Sequence, residues 1–359
     1  MKQFSKIIIN GRFLSQKLTG VQRYALEITK ALDTLTNQIK IPIELVVPES
    51  LNDKDLPTLN NILIKKYGSF SGIKWEQLEL AKYIKKNKAL GLHLCNSVPV
   101  LAPKGICCVH DITYKVNPQF ITTKHLAFAK IWHLFQYKTA IKKSLHVTTV
   151  SEYSRQEIIR EYHIKPEKIT VAYNGYQHFN PSIVGDDSLN KYPKLENKKY
   201  YFSLATMAKN KNFPWIVEAA RKNPDSIFAV AGNINIQQLG NNLGEKLPDN
   251  LITLGYISDN DAKILMKHCK AFLFPSLYEG FGIPPLEAIA MGAPVICSNT
   301  TCLPEIFMDC VHYINPYKSI PDLELLLTEN LSSPQKVLET YSWDKSANLY
   351  LELLKLIIK

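Results

Sequence analysis

The chain has 359 residues, 46% hydrophobic and 21% charged, with a formal net charge of +11. That length exceeds one average domain and makes two the expectation, with enough apolar residues for real cores; a disordered or fibrous chain is set aside. The positive balance suits an anionic ligand or an anionic membrane surface, while nucleic acid finds no zinc-finger spacing, no RNP-like aromatic motif and no basic heptad region.

Lys6–Ile9 reads as a first strand, followed by a polar loop to Gly20. Val21 to Leu35 repeats apolar residues at helical spacing, and Ile43–Val47 is a second strand. Residues 48–72 carry weak signals. The basic excess begins there, with seven lysines between Lys65 and Lys88 against Glu76 and Glu79. Trp75–Ile84 reads as helix. Leu90–Cys95 and Ile106–Val109 read as strands. Thr122–Lys143 is a long amphipathic helix, in which Lys124, Lys130, Lys138, Lys142 and Lys143 accompany Trp132, Phe135 and Tyr137. Its lysines either snorkel from a core helix or touch anionic lipid. Leu145–Val150, Glu152–Tyr162 and Ile169–Ala172 continue as strand, helix, strand.

Composition changes at Asn180–Lys199, rich in Pro, Asp, Asn and Lys, which is a linker signature. Strands then fall at Tyr200–Leu204, Ile227–Ala231, Leu251–Leu254, Ala271–Phe274, Pro294–Cys297 and Val311–Ile314. Helices fall at Asn212–Arg221, Asp259–Lys267, Pro285–Met291 and Asp322–Glu329, and Trp343–Ile357 closes the chain. Alternation of this kind predicts an α/β fold with two parallel, helix-covered sheets. Ligands of such sheets lie outside the carboxyl ends of the strands. The residues to watch are therefore Gly11, His110-Asp111, Ser151, Asn174-Gly175, Thr206–Lys211, Gly232 and Glu279.

The seven cysteines, an odd number without a paired C-x-x-C, fit a reducing cytoplasm and give structural zinc little support. The apolar run at Ile7–Ile9 is too short for a signal segment, and nothing approaches the ~20 apolar residues of a membrane span. A cytoplasmic protein is expected, with peripheral contact at the inner face of the membrane as the reach of any membrane role. The dinucleotide fingerprint, the P-loop, H-E-x-x-H and G-x-S-x-G are all absent.

The richest stretch is FPSLYEGFGIPPLEAIAMGAPVICSN, residues 274–299. A strand runs into a glycine loop, then a helix opening at Pro284-Pro285, then another strand. Glu279 and Glu287 bracket the loop with seven residues between them. Backbone N–H groups and a positive helix end beside two carboxylates suit a ligand carrying both phosphate and hydroxyls.

This string resembles the Glu-x7-Glu signature of retaining family 4 glycosyltransferases of the group 1 type, found in bacterial polysaccharide biosynthesis. The resemblance extends over nearly the whole chain, through Gly20-Val21-Gln22-Arg23-Tyr24, His110-Asp111 and Tyr341-Ser342-Trp343. It implies the GT-B fold, two Rossmann-like domains with a cleft between them. Residues 1–180 would form the acceptor-side domain, 181–199 a linker, 200–340 the nucleotide-sugar domain, and 341–359 a helix crossing back to the first domain. The implied activity is retaining transfer of a hexosyl or deoxyhexosyl group from a nucleotide-sugar to a saccharide or lipid-linked saccharide acceptor, in lipopolysaccharide, O-antigen or capsule assembly. Glu279, His110 and Lys211 would be catalytic. Glu287, Gly280, Phe281, Gly282, Lys209, Asn210 and Thr206 would bind the donor, with Glu287 on the ribose. Gly20, Arg23 and Asp111 would face the phosphates and the acceptor. The resemblance implies an Arg followed by Lys-Asn after the first strand of the second domain. Here the stretch is Thr206-Met207-Ala208-Lys209-Asn210-Lys211-Asn212, with Lys211 on the usual lysine and Asn210 where the arginine often is, so one lysine, helped by Lys209, would neutralise the diphosphate. No cofactor and no metal is expected. A GT-B nucleotide-sugar epimerase or phosphorylase, or a non-catalytic sugar-nucleotide-binding subunit, are the alternatives.

Overall fold

The computed structural model describes residues 4–102, 104–120, 125–179, 188–234 and 246–359. The chain divides into two units, Met1–Asn174 with Ser342–Lys359, and Gly175–Tyr341. The unit therefore changes before the segment read as a linker. Of that segment, 181–187 lies outside the described residues, and 188–199 belongs to the second unit, where Lys191 pairs with Asp261 at 3.2 Å.

The first unit is built on seven parallel strands: β1 (Ile7–Asn10), β2 (Ile43–Val47), β3 (Leu63–Lys66), β4 (Leu90–His93), β5 (Gly105–Cys108), β6 (His146–Thr149) and β7 (Ile169–Val171). They lie in the order β3-β2-β1-β4-β5-β6-β7, every pair parallel. The apolar runs of β1, β2 and β4 are buried along their whole length, as strands covered on both faces must be. β3 departs furthest from this pattern and was not predicted. Its sequence LIKK alternates exposed and half-buried residues at the sheet edge, so it carries no apolar run. It is delivered from outside: Asp33, at the end of helix α1 (Gly20–Asp33), accepts the N–H groups of Asn60, Asn61 and Ile62 at 2.8, 2.9 and 2.6 Å.

Helix α2 (His125–Lys143) lies within the predicted helix, whose first residues, 122–124 with Lys124 among them, lie outside the described residues. α2 and α3 (Glu152–Tyr162) cover one face, packing Tyr137, Ile141, Ile158 and Tyr162 onto Cys107, Val109 and Val147. The helical run predicted from Trp75 carries a π-helical stretch, Trp75–Leu80, before regular turns at Ala81–Lys86. Trp75 is wholly buried against Ile8 and Val46, and its indole N–H reaches the Tyr67 carbonyl at 2.7 Å.

The second unit has six parallel strands: β8 (Tyr200–Leu204), β9 (Ile227–Ala231), β10 (Leu251–Gly255), β11 (Ala271–Phe274), β12 (Val295–Ser298) and β13 (His312–Ile314), in the order β10-β9-β8-β11-β12-β13. Its helices include α4 (Phe213–Lys222), α5 (Asp259–His268) and α6 (Ile283–Ala290). After β8 the chain builds outward through β9 and β10, then returns to lay β11 on the other side of β8. The loops after β8 and β11 therefore emerge side by side at the carboxyl edge, the switch point where α/β sheets hold ligands.

The last helix, α7 (Trp343–Ile358), belongs to the first unit and packs on α1. Ser342 caps it, accepting the Asp344 N–H at 3.2 Å. The Tyr350 hydroxyl lies 2.9 Å from that of Tyr24 and 2.6 Å from that of Thr148. Tyr24 also donates to the Ala172 carbonyl at 3.1 Å.

Candidate active site

The glycine loop forms where β11 ends. Gly282 has φ +97°, and a Cβ there would meet Leu303 Cδ2 at 2.8 Å. No other residue could make this turn without strain, and it aims the chain into α6 with Pro284 and Pro285 at its start. Glu287 then falls on the second turn of α6, near its positive end, and is 7% exposed. Phe281 is buried with its ring edge-on to Tyr341, centroids 5.3 Å apart. Gly280 is buried as well.

The loop after β8 brings Lys211. Lys209–Lys211 form one 3-10 turn that ends at Asn212 in the left-handed region, φ 51°, before α4 begins. The Lys211 ammonium donates to Glu279 Oε1 at 2.6 Å, and also stands 5.3 Å from the Phe274 ring centroid. Two residues 68 apart in sequence thus form one ion pair, their side chains 27% and 13% exposed. Glu279 is the anionic partner that a lysine at the start of a helix needs. Asn210 stitches the same two loops together: its carbonyl accepts the Leu277 N–H at 2.7 Å and its amide donates to the Tyr278 carbonyl at 3.2 Å. Lys209 and Thr206 are exposed, and the Thr206 hydroxyl accepts the Ala208 N–H at 3.3 Å.

Two contributions were not visible in the sequence. The turn after β12 braces the glutamate loop: Thr301 Oγ1 accepts the Glu279 N–H at 3.3 Å, and Thr300 donates to the Ser276 carbonyl at 3.1 Å. His178 Nε2 lies 2.8 Å from Glu287 Oε1. The signal that could have found His178 is a titratable residue closely following Asn174-Gly175, which read only as a turn.

The remaining predicted residues lie in the first unit. His110 follows β5 and is 5% exposed. Its Nε2 donates to the Leu94 carbonyl at 2.9 Å, its ring meets Tyr24 edge-on at 4.8 Å, and it hydrogen bonds the Cys108 sulfur. Burial works against a charged imidazole, but the Cys108 sulfur and the Leu94 carbonyl outweigh it and hold His110 above the ordinary histidine value. Burial likewise pushes the Cys108 thiol up, but His110 and the Thr148 and Tyr350 hydroxyls draw it below its ordinary value. His110 is therefore engaged within its own unit. Asp111 Oδ1 accepts the Thr113 N–H at 2.8 Å and the Thr113 hydroxyl at 2.5 Å, fixing the turn after it. Gly20 opens α1 and is exposed. Arg23, one turn on, pairs with Glu27 at 3.5 Å.

Among the described residues, no group of three or more His, Cys, Asp or Glu gathers in a way that could hold a metal ion. None of the helices described is long and apolar enough to cross a membrane.

Two family models match, one on each side of the chain. The model described as Glycosyltransferase Family 4 matches residues 18–178, and that described as Glycosyl transferases group 1 matches 186–341. The chain is 30% identical over 236 residues to the O-antigen chain mannosyltransferase RfbU of Salmonella typhimurium, covering 64% of this chain and 62% of that protein. It is 26% identical over 344 residues to the O-antigen chain mannosyltransferase B of Escherichia coli, covering 85% of each. Among solved structures, Anabaena Alr3699/HepE in complex with UDP and glucose matches with a TM-score of 0.69 at 16% identity, over 98% of this chain and 99% of that one. Two Rossmann-like parallel sheets, the Glu279–Glu287 loop with its lysine, and family matches on both sides of the chain lead to one conclusion: this protein belongs to the group 1 glycosyltransferases of GT-B fold.

Proposed function

We propose that the protein transfers a hexosyl group from a nucleoside diphosphate sugar to an acceptor hydroxyl, with retention at the anomeric carbon, in bacterial surface-polysaccharide assembly. The observation that carries this is the Lys211–Glu279 pair at 2.6 Å beside the buried Gly280–Gly282 loop, with Glu287 on the following helix. In this reading the donor's diphosphate takes Lys211 from Glu279. The ammonium and the loop amides then stabilise the charge that develops as the bond from the anomeric carbon to the phosphate oxygen breaks. The acceptor oxygen bonds to that carbon on the face the diphosphate leaves, and its proton passes to the departing phosphate oxygen. The products are a glycoside and a nucleoside diphosphate. Glu279, released from Lys211, orients the sugar, and Glu287 receives the ribose hydroxyls. Lys211 supplies the positive charge a divalent metal would otherwise bring, so transfer proceeds without one.

The relatives' names support a mannosyl donor, and the complex of the same Anabaena protein with UDP-glucose supports a nucleotide-sugar. Peripheral contact with an anionic membrane at the cytoplasmic face is part of the same proposal. It is supported by Ile131 and Phe135, one helical turn apart on α2 and 66% and 45% exposed, with Lys138 and Lys143 exposed nearby.

The test is a panel of nucleotide-sugars, GDP-mannose first, incubated with a saccharide acceptor in chelator. Nucleoside diphosphate release and an unchanged anomeric configuration in the product are expected. An inverted product refutes retention, and activity restored only by magnesium refutes the metal-free step. Isomerised donor without acceptor would reveal an epimerase.

A further inference from the structure

We propose that His178 is a positioning residue for the donor nucleotide, holding the Glu287 carboxylate in the orientation that receives the ribose hydroxyls. This rests on the reading of Glu287 given above. His178 Nε2 and Glu287 Oε1 are 2.8 Å apart, on side chains only 5% and 10% exposed, although the residues are 109 apart in sequence. A carboxylate this buried is costly without a donor. One imidazole N–H on Oε1 leaves the second oxygen and further lone pairs of the carboxylate open to hydroxyl donors.

The histidine is itself held in place. Its neighbour Phe179 is 2% exposed, and the Phe179 N–H reaches the Tyr176 carbonyl at 2.7 Å. Gln177, on the other side, donates to the Tyr341 carbonyl at 3.2 Å. The His178 ring lies against Phe179, centroids 5.6 Å apart. The start of α6 is set by Gly282, so the Glu287 backbone is fixed as well. What His178 adds is a choice among the rotamers of a long side chain, made before ligand arrives.

Because the contact is to the nucleotide and not to the reacting atoms, its loss appears in binding. With His178→Ala, donor KM is expected to rise about tenfold, the scale of a hydrogen bond to a charged group, while kcat stays within about twofold. His178→Gln, whose amide nitrogen occupies nearly the place of Nε2, restores KM to within about threefold. UDP, GDP and ADP are titrated calorimetrically, and the tightest is compared with its 2′,3′-dideoxy form. His178→Ala should weaken the ribonucleotide and leave the dideoxy form at the wild-type affinity, which also shows that the variant is folded. If that variant does not fold, His178→Asn, with a donor too short to reach, takes its place. Glu287→Ala separates the two readings. If it binds the ribonucleotide as wild type does, the assignment of Glu287 fails. If it loses affinity while His178→Ala does not, the assignment stands and the proposal for His178 is overturned. Tighter binding in His178→Ala, or a fall in kcat at unchanged KM, also overturns it.

Discussion

Glu279→Gln is the substitution that separates the two partners of the central ion pair. In the free protein Lys211 spends its charge on Glu279 at 2.6 Å. A diphosphate must first take the ammonium away, and it then lies beside the carboxylate it has displaced. The amide removes both costs. With side chains 27% and 13% exposed, the pair lies between surface ion pairs, worth ~0.2–1 kcal/mol, and fully buried ones, whose disruption costs ~3–5. A coupling of about 1–2 kcal/mol follows, so a nucleoside diphosphate should bind Glu279→Gln roughly 5- to 30-fold more tightly than wild type. The plain nucleoside should bind both proteins alike, and sugar transfer should fall by about two orders of magnitude or more, as when an oriented polar group is removed from a reacting centre. Isothermal titration with the diphosphate and the nucleoside, beside a transfer assay, reads all three. Diphosphate affinity that is unchanged or weaker in Glu279→Gln would refute the competition between carboxylate and ligand for Lys211.

Burial holds His93 down to about 3. It stays neutral in the fold while the unfolded chain takes up a proton near pH 6.5, so stability is full above that pH and is lost as pH falls toward 3. Between pH 7 and 5 the loss is about 2 kcal/mol, and His93→Leu should remove it in urea titrations at the two pH values; equal pH dependence in both proteins would contradict this. Gly282→Ala forces a side chain into φ +97° and against Leu303, costing about 2 kcal/mol and lowering Tm by roughly 4–8 °C by calorimetry. Replacing Ile131 and Phe135 together by Ser removes about 2 kcal/mol of burial available to these half-exposed side chains, so the affinity for anionic vesicles in co-sedimentation should fall roughly 30-fold while transfer to a soluble acceptor is unchanged; vesicle binding that does not move would remove α2 from the membrane proposal.

The strands were legible because most are buried apolar runs: Ile43–Val47, Tyr200–Leu204, Ile227–Ala231 and Ala271–Phe274 begin and end where the sequence placed them. β3 was not, because an edge strand of sequence LIKK needs no apolar face and depends on Asp33 for its position. In the site, Glu279, Glu287 and the glycines between them were legible because they share one local motif. The pairs were not. Lys211–Glu279 and His178–Glu287 span 68 and 109 residues, and only the strand order that sets β8 beside β11 makes the first possible. His110 was read from its place after a strand. Its link to Cys108 and Leu94 depends on how β5 and the turn after β4 pack, which residue spacing does not encode.

That α7 belongs to the first unit has a consequence for the order of events at the ribosome. The second unit is an insertion, entered at Gly175 and left at Tyr341. Its whole sequence emerges before the first unit has all of its own. Until the last stretch is made, Tyr24 and Thr148 lack the Tyr350 hydroxyl that bridges them, and the face of α1 that α7 covers stays open to solvent. Domains usually mature in the order they are synthesised; here the amino-terminal unit must wait. A chain shortened to Tyr341 would keep every pairing drawn here for Lys211, Glu279, Glu287 and His178, and would still be unable to close the sheet-and-helix unit with which it began.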